Sequence, residues 1–265
     1  MSEALVSKHE RLGSLLELLN RDGTLDVDDA AGELHVSAAT IRRDLDILAQ
    51  QQLLTRTHGG AVSNNAAYDL PLRYKTARYA SEKQRIGKAA AEMIEAGAIV
   101  GLNGGTTTTE VARALALRGD LQGSYNPAIT VVTNSLNIAT ELAVRAHLKI
   151  VVTGGVARPQ SYELIGPLAV GILDQLSLDL AVLGVDAIDI DGGAMAHQES
   201  EAAINRLMAG RARKVVVVAD SSKLGHRAFA RLCPLESIDV LITDADATDD
   251  LTRGFVEAGI EVVRA

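Results

Sequence analysis

Ser37-Ala38-Ala39-Thr40-Ile41-Arg42-Arg43-Asp44-Leu45 opens with a residue suited to cap a helix and continues with residues suited to build one. Ile41, Leu45 and Leu48 follow at spacings of four and three, which draws one apolar stripe along a helix from Ala38 to about Gln50. Arg42, Arg43 and Asp46 fall on its other faces. Just before it, His35-Val36 makes a short turn. Asp26 caps a second short helix over 27–34, with Asp28 and Asp29 near the positive end of the helix dipole. Earlier still, Leu12, Leu15, Leu16, Leu18 and Leu19 stand at helical spacing over 9–20, and Asp22-Gly23 stops that helix. After the central helix, residues 53–57 alternate as a strand, Gly59-Gly60 makes a tight turn and Ala61-Val62 returns as a second strand. Three short helices and a β-hairpin make a small α+β winged helix-turn-helix domain over 1–62.

In a helix-turn-helix, the N-terminal part of the second helix enters the major groove of double-stranded DNA. Here that part carries Ser37, Ala38, Ala39, Thr40, Arg42 and Arg43. The small alanines allow close approach or contact with a thymine methyl, and Thr40 suits a phosphate or a base edge. The two arginines offer bidentate donors to guanine or phosphate. Arg56 and His58 lie on the wing, where backbone or minor-groove contacts are expected. The competing reading is a solvated helix face whose arginines pair with Asp44 and Asp46.

Charge does not favour DNA. The chain has 26 Lys and Arg against 34 Asp and Glu, a net of −8. Residues 1–62 hold six basic and ten acidic side chains, a net of −4. Recognition must therefore rest on where the arginines sit, and the acidic remainder limits non-specific binding.

The chain has 265 residues, 47% of them hydrophobic and 3% aromatic, with no Trp, so the core must be aliphatic. Cys233 is the only cysteine, which excludes an intramolecular disulfide, signals no cysteine-based metal site and fits a reducing cytoplasm. Residues 1–10 are too charged for a secretory leader, and no run of eighteen apolar residues occurs to span a membrane.

Residues 63–70 are polar and turn-prone, and Pro71 follows. Residues 72–96 look helical and carry Arg73, Lys75, Arg78, Lys83, Arg85 and Lys88, so 63–97 is expected to connect two domains. From 98 the rhythm changes. Apolar runs at 98–102, 129–132, 148–152, 180–185, 214–219, 240–242 and 260–263 read as buried strands. Helical segments at 108–117, 136–146, 167–175 and 199–212 alternate with them. That alternation predicts an α/β domain over 98–265, with a mostly parallel sheet covered on both faces.

Five strand ends in this half carry polar, loop-forming residues. They are Asn103-Gly104-Gly105-Thr106-Thr107-Thr108, Thr133-Asn134-Ser135, Gly154-Gly155 with Arg158 soon after, Asp186, and Asp220-Ser221-Ser222-Lys223. Open parallel sheets bind ligands at the carboxyl ends of their strands, so the five are expected to share one site. Two helix starts able to hold an anion, plus Lys223, suit a phosphate, while Asp186 and Glu201 suit sugar hydroxyls. The Gly-Gly-Thr turn is neither a Walker A loop nor a dinucleotide fingerprint, and no cofactor or metal is implied. His197 lies in a Gly-rich polar loop over 192–201, as a ligand contact or a plain loop residue; His226 and Cys233 read as structural or exposed.

The string VSAATIRRDLDILAQQQLLTRTHGGAV, residues 36–62, resembles the N-terminal domain of DeoR-family bacterial regulators. GGTTTT, TNSLNIA, TGG, LGVD, ESEAAI and ADSSK resemble the effector domain of the same family, which is similar in fold to ribose-phosphate isomerase A. The resemblance implies a cytoplasmic repressor of a carbohydrate-metabolism operon. A phosphorylated sugar would control its affinity for operator DNA, and it would act as a homodimer or homotetramer without a membrane. The rival is a sugar-phosphate isomerase with an accessory helical domain. Against the isomerase pattern, Asp186 and Glu201 match catalytic acids, but Leu183 stands for the upstream acid and about Gly192 for the catalytic lysine. That departure implies binding without turnover. Family regulators usually carry Asp where this chain has Asn103.

Overall fold

The computed structural model describes residues 8–63, 71–75, 79–121 and 127–265. They group into two compact units that divide between Arg78 and Tyr79.

The first unit begins with α1 (Lys8–Asp22), whose Leu12, Leu15, Leu16 and Leu19 are buried. β1 (Thr24–Asp26) follows, then α2 (Val27–Glu33) and α3 (Ala38–Gln50). Both short helices are capped as their sequences require. Asp26 accepts from the Asp28 amide at 2.7 Å, and Ser37 Oγ accepts from the Thr40 amide at 3.1 Å. β2 (Leu54–Arg56) and β3 (Gly60–Ser63) form the wing, and α4 (Leu72–Lys75) adds Tyr74 to the same core. Ile41, Leu45 and Leu48 of α3 are fully buried in it.

The strand β1 is not legible in the sequence. It pairs antiparallel with β3 and makes a three-stranded sheet of order β1-β3-β2. Gly60 makes this pairing possible, since a Cβ there would strike the Leu25 carbonyl.

The helix expected over 72–96 is two helices. α4 belongs to the first unit and α5 (Ala80–Glu92) to the second, and Tyr79 precedes α5 in a left-handed conformation at φ 52°. Tyr74 is buried in the first core, whereas Ile86, Ala90 and Ala91 are buried in the second. Helical periodicity shows that a residue is buried but not in which core, so the expected connector over 63–97 is divided between the two. The expected linker residues 64–70, residues 76–78 and the N-terminal 1–7 lie outside the described residues.

In the second unit β4 (Ile99–Leu102), α6 (Thr106–Leu117), β5 (Ile129–Thr133), α7 (Leu136–Leu142) and β6 (Leu148–Val152) come first. A hairpin of β7 (Val156–Ala157) and β8 (Leu164–Ile165) leads to α8 (Pro167–Leu173) and β9 (Leu178–Gly184). Then come β10 (Ala187–Asp189), β11 (Gly193–Ala196), α9 (Glu199–Gly210), β12 (Ala212–Val218) and β13 (Ala230–Cys233). The chain ends with β14 (Val240–Thr243), α10 (Asp249–Glu257) and β15 (Glu261–Arg264). Seven strands form one sheet of order β15-β14-β12-β9-β4-β5-β6, with every pairing parallel. These are the seven strands expected from the apolar runs. Separate apolar clusters cover the two faces, one built on α5, α6 and α7 and the other on α8, α9 and α10.

β10, β11 and β13 add a small antiparallel sheet that the sequence does not announce. Cys233 is buried there, and burial pushes its thiol up to about 12, so it is an inert core residue. α10 was also not expected, although Thr248 caps it through the Leu251 amide at 3.4 Å and two aspartates open its first turn.

The strand order has one reversal point. From β4 the chain winds outward through β5 and β6, then returns to the other side of β4 and continues through β9, β12, β14 and β15. The winding reverses between β4 and β9, and the carboxyl ends of two such strands leave room for a ligand.

Candidate functional site

On α3, Ala39, Arg42 and Arg43 are exposed, while Ala38 and Thr40 are half-buried. Asp44 is buried and binds Arg11 Nε at 2.5 Å, and Asp46 binds Arg56 Nε at 3.0 Å. Both acids that would have neutralised the helix face are therefore engaged elsewhere. Among the described residues Arg42 and Arg43 form no ion pair. This disfavours the solvated-face reading in its own terms. Ser37 and Thr40 cap the helix start, with their hydroxyls 2.9 Å apart. Arg56, expected on DNA, is held by Asp46 and the Gly60 carbonyl and braces the wing against α3. His58 is exposed at the tip of the β2–β3 turn.

In the second unit all five polar strand ends lie along one edge of the sheet, because the sheet is wholly parallel. At the reversal point Asn103 donates to the Gly184 carbonyl at 2.9 Å and accepts from the Gly184 amide at 2.8 Å. Its buried amide is thus taken up by main chain, joining the β4 and β9 ends. An aspartate could accept from the amide but could not donate to the carbonyl.

Residues 104–108 turn into α6. Gly105, at φ 138°, supplies no side-chain cap. The first N–H groups of a helix have no intrahelical acceptor and carry the positive dipole end. Thr108 and Thr109 direct their hydroxyls to the Gly105 carbonyl at 3.2 and 2.6 Å, and Thr106 is only half-buried. Asn137 ties this turn to the next strand end, donating to Thr109 Oγ1 at 2.9 Å and accepting from Ser135 Oγ at 2.6 Å. Thr133 Oγ1 accepts from the Ser135 amide at 3.0 Å.

The β7–β8 hairpin starts at Gly155, whose φ is 123° and whose missing Cβ admits the Ile165 carbonyl. Its turn brings in Arg158, which binds Glu201 at 2.9 Å with both side chains nearly buried. Glu201 comes from the first turn of α9. Asp186 accepts from the His197 amide at 2.9 Å, which ties the 192–201 loop to the end of β9. Lys223 is half-buried in a 3-10 turn after β12, and its ammonium has no ion-pair partner among the described residues. His226 is exposed. The isomerase positions Leu183 and Gly192 carry no ionisable group, and Leu183 is core.

Glu163 and Asn205, two buried polar residues bonded to Asn134, are not legible in the sequence. Glu163 is 3% exposed, and its Oε2 accepts from Asn134 Nδ2 at 3.1 Å and Asn205 Nδ2 at 3.3 Å. Burial and the nearby Glu201 charge push its carboxyl up to about 8. A lone Glu in a loop and an Asn within a helix carry no sequence signal; the bracketing Gly155 and Gly166 were the available hint.

An accessible arginine pair on a helix-turn-helix, joined to a parallel-sheet unit with a polar site at its reversal point, defines a DNA-binding regulator with a sensor domain. Residues 11–67 match the DeoR-like helix-turn-helix domain, and residues 78–245 match the DeoR C terminal sensor domain. The chain is 34% identical over 257 residues to a putative aga operon transcriptional repressor of Escherichia coli O157:H7, covering 96% of this chain and 93% of that one. It is 36% identical over 255 residues to the HTH-type transcriptional regulator GlpR of Haloferax volcanii, covering 96% of each. The glycerol-3-phosphate regulon repressor of Escherichia coli K12 is 32% identical over 236 residues, 89% of this chain and 90% of that one. A D-ribose-5-phosphate isomerase solved with phospho-erythronic acid overlays 53% of this chain and 52% of its own at 23% identity and a TM-score of 0.39. The protein belongs to the DeoR family of DNA-binding transcriptional regulators.

Proposed function

We propose that this protein represses a carbohydrate-metabolism operon and that a phosphorylated sugar controls its grip on operator DNA. The observation that carries the DNA half is the arginine pair of α3, left without carboxylate partners because Arg11 and Arg56 hold Asp44 and Asp46. Ala38, Ala39 and Thr40 bring the helix close to the groove, Arg42 and Arg43 read bases or phosphates, and His58 meets the backbone from the wing. Ser37 and Arg56 hold these parts in place.

In the sensor unit the phosphate sits on residues 104–107, with Thr108, the residues 133–135 turn and Lys223 around it. Asp186, Glu201 and Arg158 face the sugar hydroxyls, and Asn103 and Gly155 shape the turns. The relative named for a glycerol-3-phosphate regulon supports a small phosphorylated ligand of this kind. Position 192 offers glycine where the isomerase pattern has its lysine, so the site binds without turnover. The effector acts by binding the DNA-competent and DNA-incompetent states unequally. A two-fold dimer, or a tetramer of dimers, matches paired half-sites in the cytoplasm; no helix among the described residues is long and apolar enough to cross a membrane.

Fluorescence anisotropy on the promoter next to the protein's own gene tests the DNA half. Arg42→Ala with Arg43→Ala is expected to abolish specific binding and flatten its salt dependence. Unchanged affinity and slope would refute the recognition helix. Thermal shift against ribose 5-phosphate and glycerol 3-phosphate tests the sensor half. Turnover of ribose 5-phosphate that disappears in Glu201→Ala would overturn the binding-only reading.

A further inference from the structure

Glu163 is placed with unusual care for a residue of a short hairpin turn. The Arg158 amide donates to its carbonyl at 2.8 Å. On either side, the Leu136 amide donates to the Tyr162 carbonyl at 3.0 Å and the Leu164 amide to the Asn134 carbonyl at 2.6 Å. Tyr162 takes a left-handed φ of 61° to make the turn. The backbone is therefore bound to the start of α7, and the side chain is sent inward.

There it meets the glycine turn. A Cβ on Gly104 would overlap the Glu163 carboxyl, so the absence of a side chain at 104 makes room for that carboxyl. Its two oxygens differ. Oε2 accepts from both Asn134 and Asn205, while Oε1 lies beside Gly104 and makes no hydrogen bond among the described residues. Asn134 Oδ1 is fully buried and also makes no hydrogen bond among the described residues. Oε1 thus sits against Gly104, in the turn into α6, and Asn134 Oδ1 belongs to the amide that donates to the same carboxyl. A fully buried oxygen such as Asn134 Oδ1 is costly left so unless a ligand completes it.

We propose that Glu163 is an effector-contacting residue that binds as the neutral acid: its Oε1–H donates to an oxygen of the phosphorylated ligand on residues 104–107, and Asn134 Oδ1 accepts a ligand hydroxyl. The inference rests on the anion reading of that turn. A carboxylate at this place would repel the phosphate, and two amide donors already occupy Oε2, so the proton belongs on Oε1. Every charge facing Glu163 acts in the same sense. Glu201 from α9 and Asp186 from the end of β9 both oppose a third negative charge. Arg158, on its own hairpin, binds Glu201 instead. Asn134, Asn205 and Gly104 bring no charge. Burial adds to this, and the carboxyl titrates at about 8. Binding by such a group selects ligands whose phosphate lies one hydrogen bond from a hydroxyl, and makes affinity depend on pH where the ligand's own charge no longer changes.

The test uses the full chain, with inorganic phosphate and ribose 5-phosphate as probes, by isothermal titration from pH 7 to 9.5. Phosphate monoesters complete their second ionisation near pH 6, so ribose 5-phosphate reports the protein group over this range. The wild type is expected to lose about tenfold in ribose 5-phosphate affinity per pH unit above 8. Glu163→Gln, which keeps a donor and an acceptor, is expected to bind within about threefold of wild type at pH 7 and to show no such slope. Glu163→Ala is expected to weaken binding by tenfold or more. Wild-type affinity that stays flat to pH 9.5, or the same slope in Glu163→Gln, overturns the proposal. Should Glu163→Gln fail to fold, the wild-type profile decides. If neither probe binds the wild type at pH 7, the anion reading of the turn fails, and this inference with it.

Discussion

Arg42 and Arg43 stand two and one residues before Asp44 and four and three before Asp46, yet they are the basic pair that stays available. The reason lies in which neighbours reach the acids first. Arg11, from α1, buries its guanidinium against Asp44, and Arg56, from the wing, takes Asp46. Each α3 arginine lost to alanine is expected to cost about 1–3 kcal/mol of operator affinity, read by anisotropy, with no change in the melting of the free protein. Asp44→Asn should do the opposite. It takes the carboxylate charge away from the nearly buried Arg11 and is expected to cost about 1–3 kcal/mol of stability in urea titration. Arg158→Met is the sensor counterpart, because it leaves Glu201 uncompensated beside Glu163 and Asp186; a loss of similar size is expected in the same measurement.

The helices of the first unit are written in their caps, and Asp26 and Ser37 perform as their positions require. The wing is different. Its third strand, β1, is three residues long and exists only because β3 lies alongside, which needs Gly60. Gly60→Ala is expected to separate β1 from β3, lower stability by at least about 1 kcal/mol and weaken operator binding more than that loss explains, since the wing would move. Circular dichroism melts and anisotropy on the same sample separate the two effects. In the sensor unit the β7–β8 hairpin is the counterpart. Its strands have two residues each, too few for any alternation to register, but it delivers both Arg158 and Glu163. Gly104→Ala is expected to displace Glu163 and abolish ribose 5-phosphate binding while leaving operator binding without ligand intact.

Two units with separate cores are expected to unfold in two calorimetric transitions. Ribose 5-phosphate should raise only the sensor transition, by about 2.7 kcal/mol when present at a hundred times its Kd. A ligand that raised both equally would show the units to be one cooperative body. The sensor transition should also fall with rising pH between about 4.5 and 8. The folded Glu163 keeps its proton to about 8 while the unfolded one releases it near 4.5, so the unfolded state gains over that window. Glu163→Gln should remove this part of the slope.

Much of the molecule follows from local pattern. Leucine spacing and helix caps specify the helix-turn-helix, and seven apolar runs separated by helical segments specify the parallel sheet, because burial on both faces leaves few alternatives. Polar residues at the strand ends fall together for the same reason, since parallel strands share one edge. Which side chains gather at that edge depended on the tertiary structure alone. Asn103 is spent on Gly184, Asn134 and Asn205 converge from distant segments, and Glu163 arrives from a hairpin too short to show a period. The availability of Arg42 and Arg43 was settled in the same way, by partners 33 and 10 residues distant from Asp44 and Asp46. Pairing and charge compensation act between residues far apart in sequence, whereas periodicity reports only what each residue shares with its near neighbours.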